Sequence, residues 1–322
     1  MIHEQAREIL ERLVGRAERV IVGKRTEIEL AVVSMLSGGH ILLEDVPGVG
    51  KTLLVRTLAA CMGGSFGRIQ FTSDLLPTDV TGVTVYQPQT GQFEFRPGPV
   101  HANFVLADEI NRAAPRTQSA LLEAMEERRV TVDGITRALP QPFLLLATQN
   151  PLEYEGTYRL PEAQLDRFLM RLTLGYPMPE QEIEMLSRGQ ETAVEIKPVL
   201  VPEEMRYMQL QVRSVLVDDR IKKYLVSVAD ASRRHRQLSL GISPRGTLAW
   251  MGAAQAMAYY KGRTYVIPDD VKAVAESVLA HRIVLKSEAV LSGVHAEQAV
   301  ADLLNRAEVP LFSHVPAAGG SR

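Results

Sequence analysis

The chain of 322 residues carries 36 Lys and Arg against 38 Asp and Glu, with 46% hydrophobic and 23% charged residues. This is globular composition, long enough for two domains, and it excludes a disordered, collagen-like or coiled-coil chain. A formal charge of −2 gives no bulk attraction for nucleic acid, and the single cysteine, Cys61, excludes an internal disulfide or a Cys-rich zinc module.

No HExxH pair and no GxSxG elbow is present, so neither zinc-hydrolase nor α/β-hydrolase chemistry is indicated. The N-terminus alternates charged and apolar residues at helical spacing, unlike a signal peptide, and the longest apolar runs are far too short to cross a bilayer. The expectation is a soluble cytoplasmic protein without membrane insertion.

Apolar residues at Ile9, Leu10, Leu13 and Val14, then at Ile28, Leu30, Val32, Val33 and Leu36, recur near a period of 3.6 and predict helices. His40 to Glu44 reads as a buried strand, followed by a Gly/Pro loop and a helical segment from Thr52 to Met62, which is an α/β opening. Short apolar runs at Ile69 to Phe71, Asn103 to Ala107 and Phe143 to Thr148 predict further strands of a parallel sheet buried on both faces. Alternating segments around Gln89-Thr90-Gly91 predict a hairpin over 83–100, and Asp133-Gly134 turns a second over 128–140. After Tyr176 the strands stop, and helix starts at Pro179, Pro202, Asp218, Ser243-Pro244 and Pro268-Asp269-Asp270 carry a helical pattern to Glu308. The expected fold is α/β: an αβα core with a parallel sheet and two inserted β-hairpins over 1–176, an all-α lid over 177–309, and a tail over 310–322.

The segment Glu44-Asp45-Val46-Pro47-Gly48-Val49-Gly50-Lys51-Thr52 follows a strand and opens a helix, as a phosphate-binding loop does. Its glycines let backbone N–H groups face phosphates, the helix N-terminus adds positive dipole, Lys51 supplies a cation, and the Thr52 hydroxyl suits Mg²⁺. Pro47, Gly48, Val49, Gly50, Lys51, Thr52 and Leu53 form the candidate nucleotide-contacting set. Asp45 stands where such loops usually begin with glycine, leaving Gly48 to supply the turn. The strand from Asn103 ends in Asp108-Glu109: an acidic residue there suits the Mg²⁺ shell, and a following Glu can polarise the attacking water. The next strand ends at Thr148-Gln149-Asn150, where a neutral amide can orient water without competing for the metal. Arg233-Arg234-His235-Arg236 reads as a solvated helix face, and Arg112 and Arg116 are candidate inter-subunit contacts.

The segments LLEDVPGVGKT, FVLADEINRAAPRTQSALLEAMEERRVTVDG, LLLATQNPLEYEGTYRLPEAQLDRFLM and GISPRGTLAW together resemble the MoxR family of AAA+ ATPases, in the branch with an insert in helix 2 and another before sensor 1. The resemblance implies ATP and Mg²⁺ as ligands, Lys51 and Thr52 as Walker A contacts, Asp108 and Glu109 as the Walker B pair, and Asn150 as sensor 1. It implies Arg167 as the arginine finger, with Arg159 as a nearby rival, and Arg245 as sensor 2, acting in cis or in trans. Val22 and Gly23 match the short adenine-side box. It further implies a homo-oligomeric ring, a hexamer, acting as a chaperone that matures, remodels or metallates a partner, commonly through a protein with a von Willebrand factor A domain. The alternative is a hexameric nucleic-acid motor, disfavoured by the few cations on the two hairpins.

Overall fold

The computed structural model describes residues 3–46, 48–150, 157–188 and 196–310. Pro47 and the expected tail beyond Pro310 lie outside the described residues.

Two helices, α1 (His3–Glu18) and α2 (Arg25–Leu36), lead into β1 (Ile41–Glu44), α3 (Lys51–Cys61) and β2 (Phe66–Gln70). A short α4 (Pro77–Thr81) precedes the hairpin β3 (Gly82–Gln87) and β4 (Gln92–Pro97), then β5 (Phe104–Asp108) and α5 (Pro115–Glu127). The second hairpin, β6 (Arg129–Val132) and β7 (Ile135–Ala138), is followed by β8 (Leu144–Gln149), α6 (Glu162–Leu165) and β9 (Met170–Leu172). Beyond lie α7 (Pro179–Arg188), α8 (Pro202–Val212), α9 (Asp219–Arg233), β10 (Leu238–Leu240), α10 (Pro244–Tyr260), α11 (Pro268–Leu279), β11 (Val284–Leu285), α12 (Ser287–Leu291) and α13 (Ala296–Arg306).

The central sheet is parallel throughout, in the order β2-β5-β8-β1-β9. Strand alternation divides β1 between two cores: Ile41 and Leu43 pack with α1, α2, α3 and the lid, whereas Leu42 packs with Leu121, Leu122 and Met125 of α5 on the other face. Helices on both faces are what a continuous apolar strand such as Ile41-Leu42-Leu43 requires. The first core runs unbroken from Leu10 and Leu13 to Trp250 and Tyr259, so the lid and the N-terminal helices share one apolar interior. Polar ties reinforce it: Tyr260 Oη meets Glu11 Oε1 at 3.2 Å, and Gln209 Nε2 donates to Met35 O at 2.7 Å.

Two expectations need correction. The sheet has a fifth strand, β9, paired Ile41 to Met170, and the lid is not all helix, because β10 and β11 form an antiparallel ribbon. Strands of two or three residues show no periodicity of their own and exist through their partner; Lys286 N donates to Gln237 O at 2.8 Å to close the ribbon. β2 also begins at Phe66 rather than Ile69, because it is an edge strand in which only Ile69 is buried.

His40, at the entrance to β1, is fully buried between sheet and α5. Its Nδ1 accepts Leu145 N–H at 2.9 Å and its Nε2–H faces Met125 O at 3.1 Å, which fixes the neutral tautomer. Burial, helped by the Arg128 charge, pushes its pKa down to about 3. The unfolded chain therefore takes up a proton that the folded state refuses, and stability falls as pH drops below the ordinary histidine value. At pH 5 this one group should cost about 2 kcal/mol relative to neutral pH. His40→Gln should shrink the difference in melting temperature between neutral pH and pH 5; an unchanged difference would remove His40 as its source.

Candidate active site

Parallel strands deliver their C-terminal ends to one edge, and the chemistry-bearing residues sit there. Beyond β1 the loop turns through Gly48 and Gly50, whose φ values of 87° and 93° lie in the left-handed region that glycine adopts without penalty. Lys51 and Thr52 then open α3, both half-buried, with Val49 packed against the core and Leu53 exposed. Lys51 Nζ donates to Asp45 O at 2.9 Å. Burial lowers the Lys51 pKa, and the charges of Asp45, Asp108 and Glu109 oppose that shift, which puts all three carboxylates in its field.

Asp45 is buried, and its carboxylate accepts Val46 N–H at 2.8 Å and Gly175 N–H at 2.6 Å. Its φ is not positive, so no glycine is needed there. The carboxylate instead ties the phosphate loop to the chain leaving β9.

In the sheet register Ala107 of β5 pairs with Ala147 of β8, which brings Asp108 beside Thr148. The buried Thr148 hydroxyl donates to Asp108 Oδ1 at 2.7 Å and accepts Glu109 N–H at 2.8 Å. That bond accompanies a left-handed backbone at Glu109, φ 57° and ψ 49°, an uncommon conformation for a residue with a side chain. The Glu109 carboxylate receives Gln70 Nε2 at 3.1 Å and lies 3.1 Å from Arg112 Nε, while Arg68 Nη2 reaches Asp108 Oδ2 at 2.8 Å. Asn150, half-buried, follows β8 by one residue at the same edge.

Gly23 also has a left-handed backbone, and the Gln181 side chain of α7 lies over it so closely that a Cβ there would fall 2.1 Å from the amide. Lys24 Nζ donates to Tyr176 O at 3.1 Å, so Val22 and Gly23 face the start of α7.

Arg167 and Arg245 lie elsewhere. Arg167 precedes β9, so it sits where the strands begin, the opposite end from Lys51, Asp108 and Glu109. Strands of this length separate the two ends by about 15 Å. Glu126, in the last turn of α5, pairs with both arginines: Oε2 with Arg167 Nε at 3.1 Å and Oε1 with Arg245 Nη2 at 2.9 Å. The buried Arg282 fixes the turn that carries Arg167, donating to Asp166 Oδ1 at 2.8 Å and Leu169 O at 2.9 Å. Arg159 is exposed next to Tyr158, whose N–H donates to Asn111 O at 2.6 Å, and Arg112 lies against its own Glu109.

Residues 40–170 match the ATPase family associated with various cellular activities (AAA), and residues 230–303 match the AAA lid domain. Chaperone MoxR1 of Mycobacterium tuberculosis is 44% identical, with 97% of this chain and 85% of that one covered. The chain belongs to the MoxR family of AAA+ ATPases. Another relative, YeaC of Bacillus subtilis, is 51% identical over 96% of this chain and 97% of its own. A Cytophaga hutchinsonii protein, solved as a candidate ATPase, superposes with a TM-score of 0.90 at 38% identity, covering 96% of this chain and 97% of that one.

Sequence reasoning missed Thr148, Gln70, Arg68 and Glu126. Thr148 and Gln70 were findable in principle, since each occupies the end of a strand neighbouring β5. Arg68, two residues inside β2, and Glu126, within α5, stand at no strand end and carried no local signal.

Proposed function

We propose that the protein hydrolyses ATP with Mg²⁺ at sites shared between the protomers of a homo-oligomeric ring, a hexamer, and uses the turnover to mature or remodel a partner protein complex in the cytoplasm. The observation that carries this reading is the division of one catalytic set between two ends of the sheet: the phosphate loop and acidic pair at one, Arg167 and Arg245 at the other. A guanidinium held at the far end cannot serve its own phosphate loop, but a head-to-tail neighbour can bring the two ends together.

Thr52 and Asp108 offer hard oxygen ligands side by side with Lys51, and no group of three or more His, Cys, Asp or Glu gathers among the described residues. That fits Mg²⁺, which takes most of its shell from phosphate and water. Bound there, Mg²⁺ would neutralise charge on the phosphates. The chain's own groups do the rest. Backbone N–H groups of Gly48 to Gly50 and the Lys51 ammonium hold the phosphates, and Val22 and Gly23 border the adenine. The Glu109 carboxylate, once freed from Gln70, takes the proton of the attacking water, and Asn150 orients that water. The neighbour's Arg167 and Arg245 stabilise the charge that develops on the transferred phosphoryl group.

Hairpin chemistry supports a protein client, reached directly or through an adaptor with a von Willebrand factor A domain, over a nucleic acid. On the second hairpin Arg137 stacks on Phe95 at 3.8 Å, and Arg129 pairs with Glu127 at 2.8 Å. Arg128, which precedes that hairpin, donates to Gly38 O at 3.0 Å. The first hairpin instead exposes Val83, Tyr86 and Phe93, the last two in ring contact at 5.3 Å. Deleting Gln87 to Gln92 should leave basal ATPase within about twofold of the parent and abolish partner capture by a hydrolysis-blocked ring. Loss of salt-sensitive binding to single-stranded DNA in the same variant would replace the chaperone reading with the motor.

A further inference from the structure

The lid holds a cleft of about 1070 Å³ between α9, the turn that follows it, α12 and α13. It shares no residue with the phosphate loop or with the cavity beside Glu126. Six cations line it, Arg220, Lys223, Arg234, Arg236, Lys286 and Arg306, against the two carboxylates Glu288 and Glu308. Neighbouring acids take up three of the six: Asp218 pairs with Arg220 at 3.0 Å, Asp302 with Arg306 at 2.8 Å, and Asp230 with Arg234. Lys223, Arg236 and Lys286 have no carboxylate at ion-pair distance among the described residues, and with Glu288 and Glu308 in the same lining the concavity keeps a small cationic excess. In a chain of net charge −2 such a concentration is a local field that attracts anions.

The scaffold holds these charges in place. Lys286 N donates to Gln237 O at 2.8 Å, Gln237 N donates to His235 Nδ1 at 3.3 Å, and His235 Nε2 lies 3.1 Å from Asp302 Oδ2. Gln237 and Lys286, which flank the β10–β11 ribbon, thus form one wall, and the arginine run that reads as a solvated helix face presents Arg236 into the cleft. Leu303 and Ala289 are buried beneath the cleft, and the half-buried Ala307 and Pro310 supply its accessible apolar lining. The aromatic side chain in the lining is Tyr224, only 3% exposed, so no ring is offered for base stacking.

We propose that this cleft docks an acidic, partly apolar segment of a partner protein, with carboxylates on Lys223, Arg236 and Lys286 and small apolar side chains against Ala307 and Pro310. It names the chemistry of the partner inferred above yet stands on the lid alone, so it and the ATPase reading fail separately. The probe is a fluorescein-labelled peptide of repeating Glu-Glu-Leu, about twelve residues long, titrated into the full chain at low and high salt and followed by fluorescence anisotropy. Saturable binding that weakens with salt is expected. The combined variant Lys223→Ser, Arg236→Ser, Lys286→Ser should bind at least about tenfold more weakly, with basal ATPase and melting temperature unchanged, because all three side chains are exposed. Unaltered binding by the variant, or no saturation by the parent, overturns the proposal. So does tighter binding of an oligothymidylate of equal length, more than tenfold tighter peptide binding on removal of residues 311–322, or self-association that the variant loses, each of which assigns the cleft to another occupant.

Discussion

Glu109→Gln should bind ATP with near-parental affinity and hydrolyse it about 10² to 10⁴ times more slowly. The amide keeps the size and shape of the carboxylate, and its oxygen can still accept Gln70 Nε2, now 3.1 Å from Glu109 Oε2. The backbone bond from residue 109 to the Thr148 hydroxyl does not involve the side chain, so the left-handed turn and the position of Asp108 survive. What disappears is the group that accepts a proton. Isothermal titration with ATP and a steady-state phosphate-release assay separate the two quantities. Turnover within a few-fold of the parent would move the proton-accepting role to another residue, while a large loss of nucleotide affinity would mean that Glu109 shapes the site instead of acting in it.

The parallel core was legible in the sequence because its strands are buried on both faces and read as uninterrupted apolar runs, Leu42-Leu43 and Leu144-Leu145-Leu146 being the plainest. The turn between β1 and α3 was legible because Gly48 and Gly50, both left-handed, stand at fixed spacing ahead of Lys51. Both hairpins announced themselves through alternation and turn residues, and their registers pair Gln87 with Gln92 and Val132 with Ile135. What stayed hidden is of another kind. The short β10–β11 ribbon and β9 have no local periodicity. The shared salt bridge of Glu126 joins an α5 side chain to one residue before β9 and another at the start of α10, and only the tertiary fold brings those three places together. Asp45 misled in the opposite direction: it reads as a defect in a glycine loop, whereas its buried carboxylate fastens that loop to Gly175.

The placement of Arg167 and Arg245 at the end of the sheet opposite Lys51, Asp108 and Glu109 leads to the second large effect. Arg167→Ala should keep the fold and ATP binding yet lose turnover by about 10³ to 10⁵, the range over which an arginine finger acts. Its guanidinium is partly exposed and makes one ion pair, to Glu126, which Arg245 also contacts, so its removal leaves no buried charge unpaired. Mixing Arg167→Ala with Glu109→Gln discriminates a shared site from a self-contained one. In a random equimolar ring about a quarter of the head-to-tail interfaces pair an intact Glu109 with an intact Arg167 from the adjacent protomer. Activity should therefore recover to a fraction of that order, although neither variant is active alone. If Arg167 served its own nucleotide, every protomer would carry one defect and mixing would restore nothing. The same experiment with Arg245→Ala decides the side on which that residue acts, since its contact with Glu126 places it beside Arg167 and predicts recovery. Absence of recovery at every ratio, with subunit exchange verified by native mass spectrometry, would remove Arg167 as a finger acting across the interface and leave Arg159, exposed at the opposite end of α6, as the next residue to replace.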